Sequence, residues 1–182
     1  MIGNSNNLLR LQKHFKKMFA GVHALLINEE DPMLIEGVQS KEGEQVKFFN
    51  TISIKQHPNI NDWLTRVEKE ISLTLAKLLA QSIPQLSTIQ SNLSNTQAFI
   101  EWLDQYQAQL VVLAFQVSWS ENMERLLSAG KDLQPALRQI ESTLGILADL
   151  VLADQPTVRR RKLEHLVRRL FNGFFFVEIM FI

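Results

Sequence analysis

The apolar residues Leu8, Leu11, Phe15, Met18 and Phe19 recur at helical steps, and Arg10, Lys13, Lys16 and Lys17 fill the other side. That spacing predicts an amphipathic helix over 8–19. Gly21 ends the period. Three β-like runs follow: Val22–Asn28, Met33–Gln39, and Gln45–Phe49 with an extension through Ile52 and Ile54. The stretches between them, Glu29-Glu30-Asp31-Pro32 and Ser40-Lys41-Glu42-Gly43-Glu44, are polar and place Pro and Gly where turns accept them. Together these runs predict an antiparallel meander over about 22–54.

Past His57-Pro58 the period becomes helical and stays so. Asn61 is the expected N-cap of a helix with the inner stripe Leu64, Val67, Ile71, Leu75 and Leu78, and Pro84 is its expected end. Gln85–Asn95, rich in Ser, Thr, Asn and Gln, reads as a loop. Asn95 is the expected cap of a stretch that buries Phe99, Leu103, Tyr106, Leu110, Leu113 and Val117 and extends toward Met123 and Leu127. One rod, or two helices broken near Gln107, both fit that pattern. Gly130 stops it. A fourth stretch, Gln134–Ala153, turns Leu137, Ile140, Leu144, Leu147 and Val151 inward, and Pro156 opens a fifth with Leu163, Leu166, Val167 and Leu170.

The fold class expected is therefore α+β, mainly α with a small antiparallel β meander, the helices lying over about 8–19 and 61–169. Residues 1–169 read as one domain, and 170–182 as a divergent apolar tail. No repeat of fixed period is present, so a solenoid is not expected.

Composition narrows the function classes. With 182 residues, 46% hydrophobic, the chain is long enough to bury a core. Lys+Arg and Asp+Glu each total 19, so no global field favours nucleic acid or an anionic membrane. The absence of cysteine excludes disulfides, thiolate nucleophiles and cysteine-ligated zinc. Met1–Asn7 lacks the charged and apolar regions of a secretory signal, and the chain reads as cytosolic. The apolar stretch Leu170–Ile182 is shorter than the ~20 residues a spanning helix needs.

Catalytic patterns are missing. Gly130-Lys131 is the sole Gly-Lys pair, but Arg125 stands where a phosphate loop has its first Gly, and Asp132 stands where it has its hydroxyl residue. His14, His23, His57 and His165 contain no i,i+4 pair that could serve one metal. Acidic residues such as Glu68, Glu70 and Glu121 lie beside bases on predicted helices and read as ion pairs. Trp63, Trp102 and Trp119 each sit beside an apolar stripe, so core packing is favoured over partner anchoring. Arg159, Arg160, Arg161, Lys162, His165, Arg168 and Arg169 crowd one predicted helix. Two readings stand for them: a solvated face, or a contact with an acidic surface of protein, nucleic acid or lipid, nucleic acid being the least favoured.

Lys17-Met18-Phe19-Ala20-Gly21-Val22 and Ser40-Lys41-Glu42-Gly43-Glu44 are similar to the start and hairpin turn of the sheet in the linker of cytoplasmic dynein heavy chains. His57-Pro58-Asn59-Ile60-Asn61-Asp62-Trp63-Leu64, Val67-Glu68-Lys69-Glu70 and Thr74-Leu75-Ala76-Lys77-Leu78-Leu79 continue the likeness. It runs on through Tyr106-Gln107-Ala108-Gln109-Leu110-Val111-Val112-Leu113, Trp119-Ser120-Glu121-Asn122 and Arg159-Arg160-Arg161-Lys162-Leu163-Glu164-His165-Leu166. The strings are collinear from about Leu8 to Val167. Ile71-Ser72-Leu73 departs from the family pattern, and so does everything after Val167, where polar residues would lead toward the first AAA+ module. That ending is read as truncation or translated non-coding sequence.

The resemblance implies the ring-proximal part of a mechanical lever, a helical-bundle segment that arches over a ring of AAA+ modules and bends with nucleotide state. In such a motor, ATP hydrolysis drives movement toward the microtubule minus end. The chain itself would hold no catalytic site, cofactor or metal; ATP and magnesium belong to the parent's ring. Implied partners of the parent are its own AAA+ ring, a second heavy chain, intermediate and light intermediate chains, and microtubules, in the cytoplasm and on the cytoskeleton. Nucleic acid is not expected as a partner, and membrane is disfavoured. By the same likeness Arg159, Arg160, Arg161 and Lys162, with His165 beside them, would face acidic ring surface. The alternative is a non-catalytic helical interaction module with a membrane-associating tail at 170–182.

Overall fold

A computed structural model of the chain describes residues 19, 21–57, 59–90 and 96–181, with side chains as far as residue 171. The elements are β1 (Ala24–Ile27), β2 (Leu34–Gln39), β3 (Gln45–Ser53), α1 (Ile60–Gln90), α2 (Thr96–Gln105), α3 (Ala108–Ser128), α4 (Gln134–Leu152) and α5 (Thr157–Phe181). The fold is thus mainly helical with a small antiparallel sheet, as the periodicity predicts. The expected helix over 8–19 and the Asn95 cap lie outside the described residues, except for Phe19 at the helix's end. Two compact units divide within α1, one reaching Lys77 and the other starting at Leu78.

In the first unit the strands follow the order β1-β2-β3, antiparallel throughout. Their turns are built by side chains. Asn28 Oδ1 accepts the N–H groups of Glu30 and Asp31 at 2.9 and 2.8 Å, and Asp31 Oδ1 accepts that of Met33 at 3.1 Å. In the second turn Ser40 Oγ accepts from Glu42 and Glu44 at 3.2 and 3.3 Å, and Gly43 takes φ +94°, a value that suits glycine. Leu25, Ile35, Val38, Val46, Phe48 and Ile52 are buried.

The pairing of β2 with β3 is interrupted. Ile35 faces Ile52 and Gly37 faces Lys47, so residues 48–51 of β3 stand opposite Glu36 alone. The excess pushes β3 out of the ladder, as bulges do, and a new partner takes one released amide. The buried carboxylate of Glu70 on α1 accepts the Asn50 backbone N–H at 3.0 Å and the Asn50 side-chain amide at 3.2 Å. Gly37 is required beside this irregularity, because an added Cβ would stand 2.2 Å from the Val46 carbonyl oxygen.

Three sequence expectations for the helices change here. Asn59, not Asn61, caps α1: its Oδ1 accepts the Asn61 N–H at 3.0 Å, and its carbonyl takes the Trp63 N–H at 3.3 Å. The buried stripe of the first unit's part of α1 is Trp63, Val67, Glu70 and Thr74, rotated by about one residue from the apolar one. Pro84 does not end the helix, which runs on to Gln90, so half of the expected loop is helical. Pro84 removes the hydrogen bond to the Ala80 carbonyl. Ala80 is exposed, and water can take that oxygen.

The second unit contains the rest of α1 with α2–α5. The open question near Gln107 resolves as two helices, with the break at Tyr106-Gln107. α5 packs against α4, α3 and α2. Its Leu163 and Leu166 are fully buried, as are Leu86, Leu103, Val111 and Leu147 from the other four helices. Leu127, expected to point inward, is 52% exposed at the end of α3.

Candidate functional site

α2 is only ten residues long, and its last turn is where the polar chemistry of the second unit gathers. A helix end leaves carbonyls without intrahelical partners. Lys162, buried on α5, meets that need: its Nζ donates to the carbonyls of Leu103 and Tyr106 at 3.2 and 2.7 Å. A cation there also complements the negative end of the helix dipole. One turn earlier on α5, Arg159 grips Asp104 with two nitrogens, Nε to Oδ1 at 2.8 Å and Nη2 to Oδ2. Its Nη1 donates to Gln155 Oε1 at 2.8 Å. The hydrogen bond from Arg159 holds the Asp104 carboxyl below the usual carboxylate range, with a smaller contribution from the charge of Lys162. The Asp104 carboxylate in turn pushes the Arg159 guanidinium up.

Behind this interlock lies an aromatic cluster. Trp102 stands 6.0 Å from Phe99, 5.8 Å from Tyr106 and 5.9 Å from Phe115, centroid to centroid, the Phe115 pair edge-on. Each polar tip finds an acceptor on α1: Trp102 Nε1 donates to the Ser82 carbonyl at 3.2 Å, and the Tyr106 hydroxyl donates to Gln85 Oε1 at 3.0 Å. Burial pushes the Tyr106 phenol up. These two bonds tie α2 to the turns of α1 on either side of Pro84.

A cleft of about 440 Å³ opens beside the cluster, lined among others by Phe115, Trp119, Asn122, Arg125, Thr143 and Leu170. Gly130-Lys131, the sole Gly-Lys pair, closes α3: Gly130 takes φ +59°, its N–H bonds the Leu127 carbonyl at 3.1 Å, and the Lys131 N–H bonds Leu126 at 3.0 Å. This paired reach-back is a Schellman cap, which spends the amides a phosphate would need. Among the described residues no group of His, Cys, Asp and Glu could hold a metal ion, and no helix is long and apolar enough to cross a membrane.

The residues singled out from sequence thus part company. Arg159 and Lys162 face inward, bonded to the end of α2, while Arg160, Arg161 and His165 are exposed. Trp63 and Trp102 are buried, and Trp119 is half-buried on the cleft. Sequence reasoning gave no role to Asp104, Ser82 or Gln85. Their partners stand 55, 20 and 21 residues away, beyond any local pattern.

What these residues define is a helical segment with a small β meander, in which Trp102, Tyr106 and Lys162 join the end of α2 to α1 and α5. Residues 1–82 match the family described as dynein heavy chain, N-terminal region 2. The chain is 51% identical over 173 residues to the cytoplasmic dynein heavy chain of Drosophila melanogaster, covering 92% of this chain and 4% of that one. It is 41% identical over 170 residues to the protein of the same description in Caenorhabditis elegans, and 40% over 178 residues to that of Dictyostelium discoideum, each match covering 93% of this chain and 4% of the relative. Over nearly its whole length the chain is similar to cytoplasmic dynein heavy chains, and over residues 1–82 to their N-terminal region 2; it spans about 4% of the length of these relatives.

Proposed function

We propose that this chain is a segment of the linker of a cytoplasmic dynein heavy chain, the ring-proximal part of the lever that turns AAA+ ATP hydrolysis into movement along microtubules. The observation that carries the reading is the collinear identity with cytoplasmic heavy chains over nearly the whole chain. The meander ahead of packed helices supports it, because a lever must transmit strain and close-packed interiors do so. On this reading ATP and magnesium act in the parent's ring, the other partners are a second heavy chain, intermediate and light intermediate chains and microtubules, and the setting is cytoplasmic.

The test is an exchange of residues 8–167 into the equivalent stretch of a cytoplasmic dynein heavy chain. Microtubule gliding should persist, and Lys162→Ala within the exchanged segment should slow it while ring ATPase activity remains. A folded exchange protein with no gliding, or gliding indifferent to Lys162, would overturn the reading. The isolated chain should show no ATP turnover above background; turnover sensitive to its own substitutions would also count against it.

A further inference from the structure

α5 has two faces of opposite character. Arg159, Lys162, Leu163, Leu166 and Leu170 form the inner one, buried or half-buried. Arg160, Arg161, Glu164, His165, Arg168 and Arg169 are all exposed, and their spacing places them on one continuous outer face roughly 13 Å long. The inner cations are matched by Asp104 and by the carbonyls at the end of α2. Those outside are not: among the described residues, no carboxylate lies within 4.0 Å of the guanidinium groups of Arg160, Arg161, Arg168 or Arg169, Glu164 included. Two pairs of adjacent arginines thus flank a single carboxylate.

That arrangement selects among anionic partners. A phosphate array such as a bilayer surface or a duplex is uniformly negative and would press against Glu164. The chain as a whole is neutral and supplies no long-range field to offset this. A protein surface can place its charges one by one. The planar guanidinium fork also fits a carboxylate with two parallel hydrogen bonds. At one end of the face Val158, 44% exposed, adds the apolar contact that interfaces combine with arginine.

We propose that the face bearing Arg160, Arg161, Arg168 and Arg169 docks an acidic protein helix whose carboxylates flank one basic residue set against Glu164. The assignment rests on the exposed charges of α5 and does not depend on the linker reading. The 182-residue protein would be titrated with a labelled helical peptide carrying Glu pairs one turn to either side of a Lys, at about 50 mM salt. Replacing all four arginines by Gln should weaken binding about tenfold or more, and added salt should weaken the unsubstituted complex. Glu164→Lys should weaken binding, and exchanging the peptide Lys for Glu should restore it, a readout that stands even where the fourfold variant fails to fold. Equal affinity of the fourfold variant, failed restoration, or tighter binding to phosphatidylserine vesicles or a duplex oligonucleotide than to the peptide would overturn the proposal.

Discussion

Arg159 and Asp104, fifty-five residues apart, meet side-on through two parallel hydrogen bonds that fasten α5 to the last turn of α2. The link is partly open to solvent, with Asp104 46% and Arg159 23% exposed, so its worth is that of a well-aligned surface pair, about 1 kcal/mol or less.

Its pH dependence has a definite sign. The folded Asp104 carboxyl is depressed, so the stabilisation is present above its unfolded value of about 3.9 and is lost as pH falls through the lower folded value. Urea midpoints of the protein and of Asp104→Asn should therefore differ at pH 7 and converge in the acid range below about 3.9. A gap unchanged by pH would mean that the pair contributes through packing alone.

Lys162→Ala should cost about 2–3 kcal/mol, because it removes a charged donor from two carbonyls in a buried place. Arg161→Ala, one position away but exposed, should stay within about 0.5 kcal/mol. Denaturant curves of the two variants measure the contrast, and equal losses would contradict the assignment of inner and outer faces.

Two glycines make a second contrast. Gly37→Ala drives a methyl group into the Val46 carbonyl, which is backbone and has little room to yield; a loss of about 3 kcal/mol is expected, with weakened amide protection in β2 and β3. Gly145, inside α4 with nothing within 4 Å of an added Cβ, should tolerate Ala with a gain of about 0.4–1 kcal/mol.

Glu70→Ala should destabilise the first unit by about 1–3 kcal/mol, since the Asn50 amide released by the irregular pairing loses its acceptor. Glu70→Gln keeps an acceptor oxygen and should recover part of that loss. Hydrogen exchange at Asn50 reads both directly: faster exchange is expected in the Ala variant, and unchanged exchange there would refute the bond's role.

The meander was legible because alternation, Pro and Gly all act within a few residues. The α1 stripe was not, since Glu70 and Thr74 count as polar in any periodicity yet are buried, Glu70 by virtue of an acceptor role twenty residues away. Pro84 misled for a related reason: the carbonyl it orphans can turn to water, and Trp102 and Tyr106, some twenty residues on, hold the helix on either side of it. In the run from Arg159 to Lys162 the composition announced a basic helix but could not say which members faced in. That depended on where α2 ends, a break the pattern near Gln107 left open.

The four residues of β3 set against one of β2 have a further effect, because β3 forms a margin of the sheet. A strand that leaves its line midway offers a passing chain only short lengths of straight backbone to zip onto. With Lys47 exposed on it as well, that margin is a poor seed for fibre growth.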